Sequence, residues 1–381
     1  MVDGRIEVFE EKKNMVRQTD VGLLTWHYQG NVGSCLQAYA LFHLIEHAGY
    51  SACFINYRPL SRAGLFKNAI KEVCASISSH FSFLLPRYFQ VPAYCFQRKF
   101  LKQTSLYTTE QQLNSLKGQF KMYLCGSDQI WAPNVLDNTY LLSFAEDNAP
   151  KYSYGPSIGL PDIPAEKKPI YLYYLQRFNR ITVREEQGAK LLRTLLNRPI
   201  ESVLDPTFLI DSGHWQKLAL LPQINTPFLF CYLLGNNSIH YQWIDKVAQK
   251  QHLPVICVSP YKLASKKGWT CFNNIGPREF LGYILQSTLV VTDSFHGMAL
   301  SINLQKNFYV LERFIPQDPI NQNSRIYNIL DLLQLRERLL TAVPEKITSI
   351  NYEKVNSLLQ LQRKRCEQIL ESMLKEGTGR N

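Results

Sequence analysis

The sequence predicts an α/β protein made of two parallel-sheet units. Three observations carry that expectation. Short apolar runs of strand length alternate with longer amphipathic stretches along most of the 381 residues, the pattern of helices laid over a parallel sheet. The strand-like runs end in polar or Gly-bearing turns, where such sheets place their ligand sites. The alternation also comes in two series that meet near residue 213, with one long amphipathic stretch after the second.

In the first series VGLLT (21–25) reads as a buried strand. It leads through Gly30-Asn31-Val32-Gly33 into a helix in which Leu36, Ala40, His43 and His47 share one side, with Gly49 as a C-terminal stop. CFIN (53–56) is the next strand. Thr109 caps a predicted helix over 109–117, with Gln112 at the reciprocal capping position. MYLC (122–125) ends in Gly126-Ser127-Asp128. Helices over 167–178 and 187–196 flank the strand ITV (181–183), and SVLDPTFLI stops at Pro206.

The second series runs FLFCYLLG (228–235), a helix over 241–251, PVICVS (254–259), a helix over 277–286 opened by Pro277, TLVVTD (288–293), a helix over 298–304 and NFYVLERF. The expected organisation is an N-terminal extension over 1–20, a first Rossmann-like domain over 21–212, a second over 213–345, and a C-terminal helix over 346–381 folded back on the first domain. The two domains face a cleft.

Composition narrows the function classes. With 45 % hydrophobic residues and 19 each of Gly and Pro, disorder and collagen-like repeats are excluded. The longest uncharged apolar-leaning run, 73–86, contains His80 and several serines and falls short of the roughly 20 residues a spanning helix needs. The first 20 residues carry charges throughout and do not read as a secretory signal. Nine cysteines, odd in number and without a CxxC pair, sit mostly in apolar segments and suit core thiols in a reducing cytosol.

The formal charge is +11, and most of it falls in an insertion over 58–102, where eight cations face one carboxylate, Glu72. Basic and apolar residues interleave there at helical spacings. The segment suits contact with an anionic membrane surface, or a solvated basic face over a core helix. No zinc-finger, RNP-like or basic-zipper pattern points to nucleic acid.

Four turns carry the candidate chemistry. Asn31 and Gly33, in the first turn, could offer backbone N–H groups and a helix N-terminus to an anion, although tight turns also need Gly for steric reasons. Ser127 and Asp128 follow a buried strand and precede Gln129 and Trp131, a set suited to hydroxyl or sugar recognition or to helix capping. Arg184 leaves the strand ITV, where a guanidinium needs an anion, either a ligand or Glu185 or Glu186. Asp293, Ser294 and His296 stand together before a helix. The imidazole there can serve as acid, base, anion donor or satisfied structural group. His43 and His47 lack the HExxH context of a zinc site, and no GxSxG elbow occurs.

Taken in order, NVGSCLQAYAL (31–41), CGSDQIWAPN (125–134), YSYGPSIG (152–159), ITVREEQGAKLL (181–192), VLDPTFLI (203–210), GPREFL (276–281), VVTDSFHGMALSINLQKNFYVL (290–311) and NSRIYNILDLLQL (323–335) resemble the polysaccharide pyruvyl transferase family. The resemblance implies a GT-B-like pair of Rossmann-like domains. It also implies transfer of pyruvate from phosphoenolpyruvate onto two hydroxyls of a sugar, galactose-like or an amino sugar, as a cyclic ketal. By position, His296 matches the family's phosphoenolpyruvate-associated histidine and Arg184 its VRE arginine, and Arg325 is a further anion-binding candidate.

Some branches of the family carry Arg where this chain has Ser294. Arg184, Arg325 and Lys262 are then the cations offered to the phosphate. Asp128 and Asp293 are the acidic residues expected to orient or deprotonate the acceptor. No metal or cofactor enters this scheme. The basic segment over 58–102, as a docking surface, suits an acceptor that is a sugar or lipid-linked oligosaccharide at the cytoplasmic membrane face. A nucleotide-sugar glycosyltransferase and a non-catalytic sugar-binding relative are the competing readings.

Overall fold

The computed structural model describes residues 18–28, 31–60, 92–261, 268–272, 275–315, 317–318 and 320–380. Six parallel strands form the first sheet: β1 (Thr19–Leu24), β2 (Ala52–Phe54), β3 (Phe120–Cys125), β4 (Lys151–Ser153), β5 (Arg180–Val183) and β6 (Glu201–Ser202), in the order 2-1-3-4-5-6. Five form the second: β7 (Leu229–Tyr232), β8 (Val255–Val258), β9 (Thr270–Phe272), β10 (Leu289–Thr292) and β11 (Phe308–Val310), in the order 11-10-7-8-9. Every pairing is parallel.

Each order reverses once, between β1 and β3 in the first sheet and between β7 and β10 in the second. Leu24 pairs with Cys125 at one reversal and Tyr232 with Thr292 at the other. A sheet of this kind opens a crevice where its order reverses, beyond the carboxyl ends of the strands.

The helices are α1 (Val32–His47), α2 (Pro92–Phe100), α3 (Lys168–Leu175), α4 (Glu186–Leu196), α5 (Ser212–Leu218), α6 (Ser238–Gln251), α7 (Pro277–Gln286), α8 (Phe295–Asn303), α9 (Ser324–Leu332) and α10 (Tyr352–Thr378). Two caps matter for the site. The Asn31 side chain accepts from Gly33 N at 2.9 Å and starts α1. The Ser294 hydroxyl accepts from Gly297 N at 3.4 Å and starts α8. Because Ser294 caps it, α8 begins three residues earlier than the apolar pattern predicts, and His296 falls inside its first turn.

The predicted helix over 109–117 is instead a 3-10 segment, Glu110–Leu116, although its capping box forms and Gln112 Oε1 accepts from Thr109 N at 3.2 Å. β9 was not anticipated. It is a three-residue edge strand with partly exposed side chains, too short to show a period.

The last helix ties the two units together. At its start Tyr352 Oη donates to Lys306 O at 2.5 Å in the second unit. At its end Arg380 meets Asp20 of β1 at 2.7 Å. A Cβ on Gly377 would lie 2.5 Å from Met122 Sδ, so the helix backbone rests directly on the first sheet. Leu359, Leu370, Met373 and Leu374 are buried along its inner face. Each contributes about 1.5–3 kcal/mol through removal from water.

Among the described cysteines six are buried and two, Cys95 and Cys271, half-buried, all as free thiols. Among the described residues no helix is long and apolar enough to cross a membrane. The basic segment is only partly within view. Arg58 is buried, its guanidinium 5.2 Å from the ring centres of both Tyr28 and Tyr94, so it belongs to the interior and not to a surface patch. Arg98 and Lys99 are exposed on α2. Arg62, Lys67, Lys71 and Arg87 lie outside the described residues.

Candidate active site

The carboxyl ends of the two sheets bring their polar turns to one crevice. Arg184 leaves β5 and is buried. Its Nη1 donates to Asp205 Oδ2 at 2.7 Å, and its Nη2 lies 3.8 Å from Asp128 Oδ1. His296 arrives from the other unit, with Nε2 3.6 Å from the same Asp205 oxygen. The imidazole and the guanidinium expected to act together therefore share one carboxylate. Phe295 adds an apolar wall, and the Arg184 and Arg325 guanidiniums lie 4.4 and 5.9 Å from its ring centre.

Asp205 is the pivot of this cluster. Its Oδ1 accepts from Thr207 N at 3.0 Å and Thr207 Oγ1 at 2.8 Å, which leaves Oδ2 for the cations. Burial alone would raise its pKa, but nearby His296 and Arg184 outweigh that and hold the carboxyl well below the usual range. Arg184 shows the reciprocal effect. Burial would lower its pKa, yet Asp205, Asp128 and Glu185 together raise it. Burial, with Arg184 and Arg313 close by, brings Arg325 down to about 9. An anion would relieve that crowding of cations.

Other atoms of the crevice await a partner. Among the described residues, Arg184 Nε and Nη2, His296 Nε2 and Arg313 Nε are buried and make no hydrogen bond, although Nη2 and Nε2 keep Asp128 and Asp205 within 3.8 and 3.6 Å. Unsatisfied buried donors cost about 1–3 kcal/mol each, more when charged. Such a set is able to receive a ligand that accepts hydrogen bonds.

The remaining predicted residues take definite places. Asp128, at φ 63°, accepts from Ser34 Oγ at 2.6 Å and stays beside Arg184. Ser127 Oγ donates to Gly155 O at 2.7 Å and lies 3.4 Å from Asp205. Gly33 is needed for close approach, because a Cβ there would lie 2.4 Å from His296 Nδ1. Asn31 and Ser294 have side chains engaged as helix caps.

Asp293 departs from its expected role as acceptor base. Its two oxygens accept from Leu234 N and Gly235 N, each at 2.7 Å, so it joins the β7 and β10 ends and is engaged structurally. Trp131 is also not a sugar platform. It is fully buried, with Nε1 donating to Tyr140 O at 2.9 Å. Glu185 does not pair directly with Arg184. Its Oε1 gathers Ser157 Oγ, Ile158 N and Gly159 N at 2.8–3.0 Å and so shapes the loop after β4. Arg325 is buried and held by Gln322, with Nε donating to its carbonyl at 3.1 Å. Lys262 lies outside the described residues.

Two residues of the site escaped the sequence reading. Asp205 stood in the strand-ending LDPT, the same kind of polar strand exit that drew attention to the other turns. Arg313 follows β11, and its Nη2 donates to Asp293 O at 3.0 Å. Its signal was a cation just beyond a buried strand.

Fold and site define a two-unit α/β protein whose crevice gathers buried cations, an imidazole and carboxylates from both units. The sequence profile of the polysaccharide pyruvyl transferases matches residues 31–313, and the chain belongs to that family of transferases. No curated protein matches it closely by sequence. Among solved structures, a variant of the wall teichoic acid polymerase TagF is similar over 95 % of this chain and 89 % of its own, at 10 % identity and a TM-score of 0.49. The UDP-GlcNAc 2-epimerase from Neisseria meningitidis, bound to UDP-GlcNAc, is similar over 91 % and 99 %, at 10 % identity and 0.47. No argument rests on either likeness.

Proposed function

We propose that the chain moves the pyruvyl group of phosphoenolpyruvate onto two hydroxyls of a galactose-like or amino sugar, closing a cyclic ketal during synthesis of a surface polysaccharide. Family membership supports a phosphoenolpyruvate donor and a sugar acceptor. The observation that carries the reading is the convergence of Arg184, His296 and Arg313 on one crevice, each with a buried nitrogen that makes no hydrogen bond among the described residues. A donor bearing both a carboxylate and a phosphate matches several fixed cations arriving from different directions.

In this scheme Arg313 and Arg325 take the phosphate and Arg184 the carboxylate. The first sugar hydroxyl attacks C2 while C3 takes a proton from His296, so the methylene becomes the methyl group of the ketal. The second hydroxyl attacks C2, and the C2–O bond to phosphate breaks. Of the two hydroxyl protons, one restores the imidazole and the other leaves on inorganic phosphate. Asp128, whose oxygens accept from Ser34 Oγ and Gln129 N and which neighbours Arg184 in the crevice, is the carboxylate assigned in this scheme to orient the acceptor and take its proton. Work on a lipid-linked acceptor at the cytoplasmic membrane face fits the exposed cations Arg98 and Lys99, and liposome co-sedimentation with their charges reversed tests that part.

The reaction itself is tested by incubating the chain with phosphoenolpyruvate and candidate glycans. Release of phosphate together with a mass gain of one pyruvyl ketal on the sugar is expected. Transfer of a sugar from a nucleotide donor under the same conditions, with no ketal, would overturn the reading.

A further inference from the structure

Beside the anion crevice lies a second hollow of about 450 Å³, whose lining includes Trp26 and Tyr28 after β1, Gln129 and Tyr140 after β3, and Phe314 and Gln322 of the second unit. Its chemistry differs from that of the crevice. Among the described residues the lining holds no cation and one carboxylate, Asp137, whose oxygens are already engaged by Tyr57 Oη and Thr139 N, each at 2.9 Å.

The rings are held in place. Tyr140 is buried beneath them, meets Trp26 edge-on at 6.3 Å and 89°, and sets its hydroxyl 3.3 Å from that of Tyr28. Trp26, Tyr28 and Phe314 remain half-buried. Fixed aromatic rings lose little freedom when something stacks on them.

The two hollows share a wall. Gln129 Nε2 donates to Gln322 Oε1 across the units, and Gln322 Oε1 also lies 3.3 Å from Arg325 Nη2. Gln129 directly follows Asp128. A ligand seated on the rings is therefore next to the carboxylate that faces the donor crevice. Apolar faces bordered by hydroxyls would satisfy the rings and the amides at once, and that is the surface of a pyranose.

We infer that this hollow is the acceptor subsite, in which a neutral pyranose stacks on Trp26 and Tyr28 and turns its hydroxyls to the amides of Gln129 and Gln322. This assignment rests on the transferase reading above and adds which walls hold which substrate.

Saturation-transfer NMR with the methyl glycosides of galactose, glucose, N-acetylglucosamine and N-acetylmannosamine tests it, run beside calorimetric titration of phosphoenolpyruvate on the same full-length samples. Trp26→Ala is expected to weaken the bound glycoside about tenfold, the scale of one aromatic stacking contact. Trp26→Phe should recover most of that loss, and phosphoenolpyruvate affinity should not change. Phe314→Ala, on the opposite wall, should weaken the glycoside as well and serves if Trp26→Ala does not fold. Glycoside affinity untouched by both Ala variants, or no glycoside bound by the wild-type chain, overturns the assignment while leaving the donor site standing. Ring-dependent glycoside binding without phosphoenolpyruvate binding upholds the subsite and overturns the donor reading instead.

Discussion

The two banks of the crevice are charged in opposite senses. The first unit contributes Asp128, Asp205 and Glu185 around a single cation, Arg184. Among the described residues the second contributes Arg313, Arg325 and His296; Arg313 Nη2 lies 3.8 Å from Asp293, whose oxygens are engaged by backbone N–H groups, and His296 faces Asp205 of the first unit. An anionic donor belongs against the second bank, and a hydroxyl to be deprotonated belongs against the first. The difference teaches that cations on the two banks do different work. Arg184 holds Asp205 and Asp128 in place besides meeting the donor carboxylate in the proposed scheme, whereas Arg313 and Arg325 are assigned there to the donor phosphate alone.

That contrast breaks most visibly at Arg184. Replacing it with Ala leaves Asp205 and Asp128 without their main cation, and should destabilise the chain by about 3–5 kcal/mol. Chemical denaturation measures this, and a loss below about 1 kcal/mol would erase the distinction between the banks. His296→Ala should do the reverse, lowering kcat for ketal formation by about a hundredfold or more at saturating phosphoenolpyruvate, with a small change in stability. Near-normal rates would remove the imidazole from the chemistry.

A pH series sharpens the comparison within the first unit. Burial holds the His27 imidazole neutral down to about 4, opposed by its contact with Thr25 O and helped by nearby Arg58. In the unfolded chain the same group protonates near pH 6.5. Its folded pKa lies below the unfolded one, so the unfolded chain binds more protons between the two values. The contribution is present above about pH 6.5 and is lost as pH falls toward 4. Between pH 7 and pH 5 the loss is about 2 kcal/mol. Against the wild type, His27→Gln should flatten the fall in stability over that interval, and an unchanged slope would contradict the assignment. The smallest effect is expected of Arg313→Ala, about a tenfold rise in the KM for phosphoenolpyruvate with kcat nearly kept. An unchanged KM would take Arg313 out of donor binding.

The sheets were legible because their strands are buried on both faces and read as continuous apolar runs. VVT before Asp293 and LLT before the first turn are examples. Asp128, Arg184 and His296 drew attention because a polar residue just beyond such a run has no ordinary reason to be there. What stayed hidden is partnership across the chain. Nothing local tells that Asp205, some 90 residues before His296, lies between that imidazole and Arg184, or that Asp293 turns both oxygens to the end of β7. Trp131 misled for the same reason. An aromatic beside polar residues can face a ligand or a core, and packing decides which. β9 was missed because three partly exposed residues carry no period.

The central claim is that a small doubly anionic donor is held between Arg184 and the His296–Arg313–Arg325 bank. Calorimetric titration of phosphoenolpyruvate into the wild-type chain and into Arg325→Ala tests it most directly. The account predicts one donor bound per chain and an affinity at least tenfold weaker in the variant, with pyruvate and inorganic phosphate each binding more weakly than the whole donor. Equal affinity in the two proteins would contradict it.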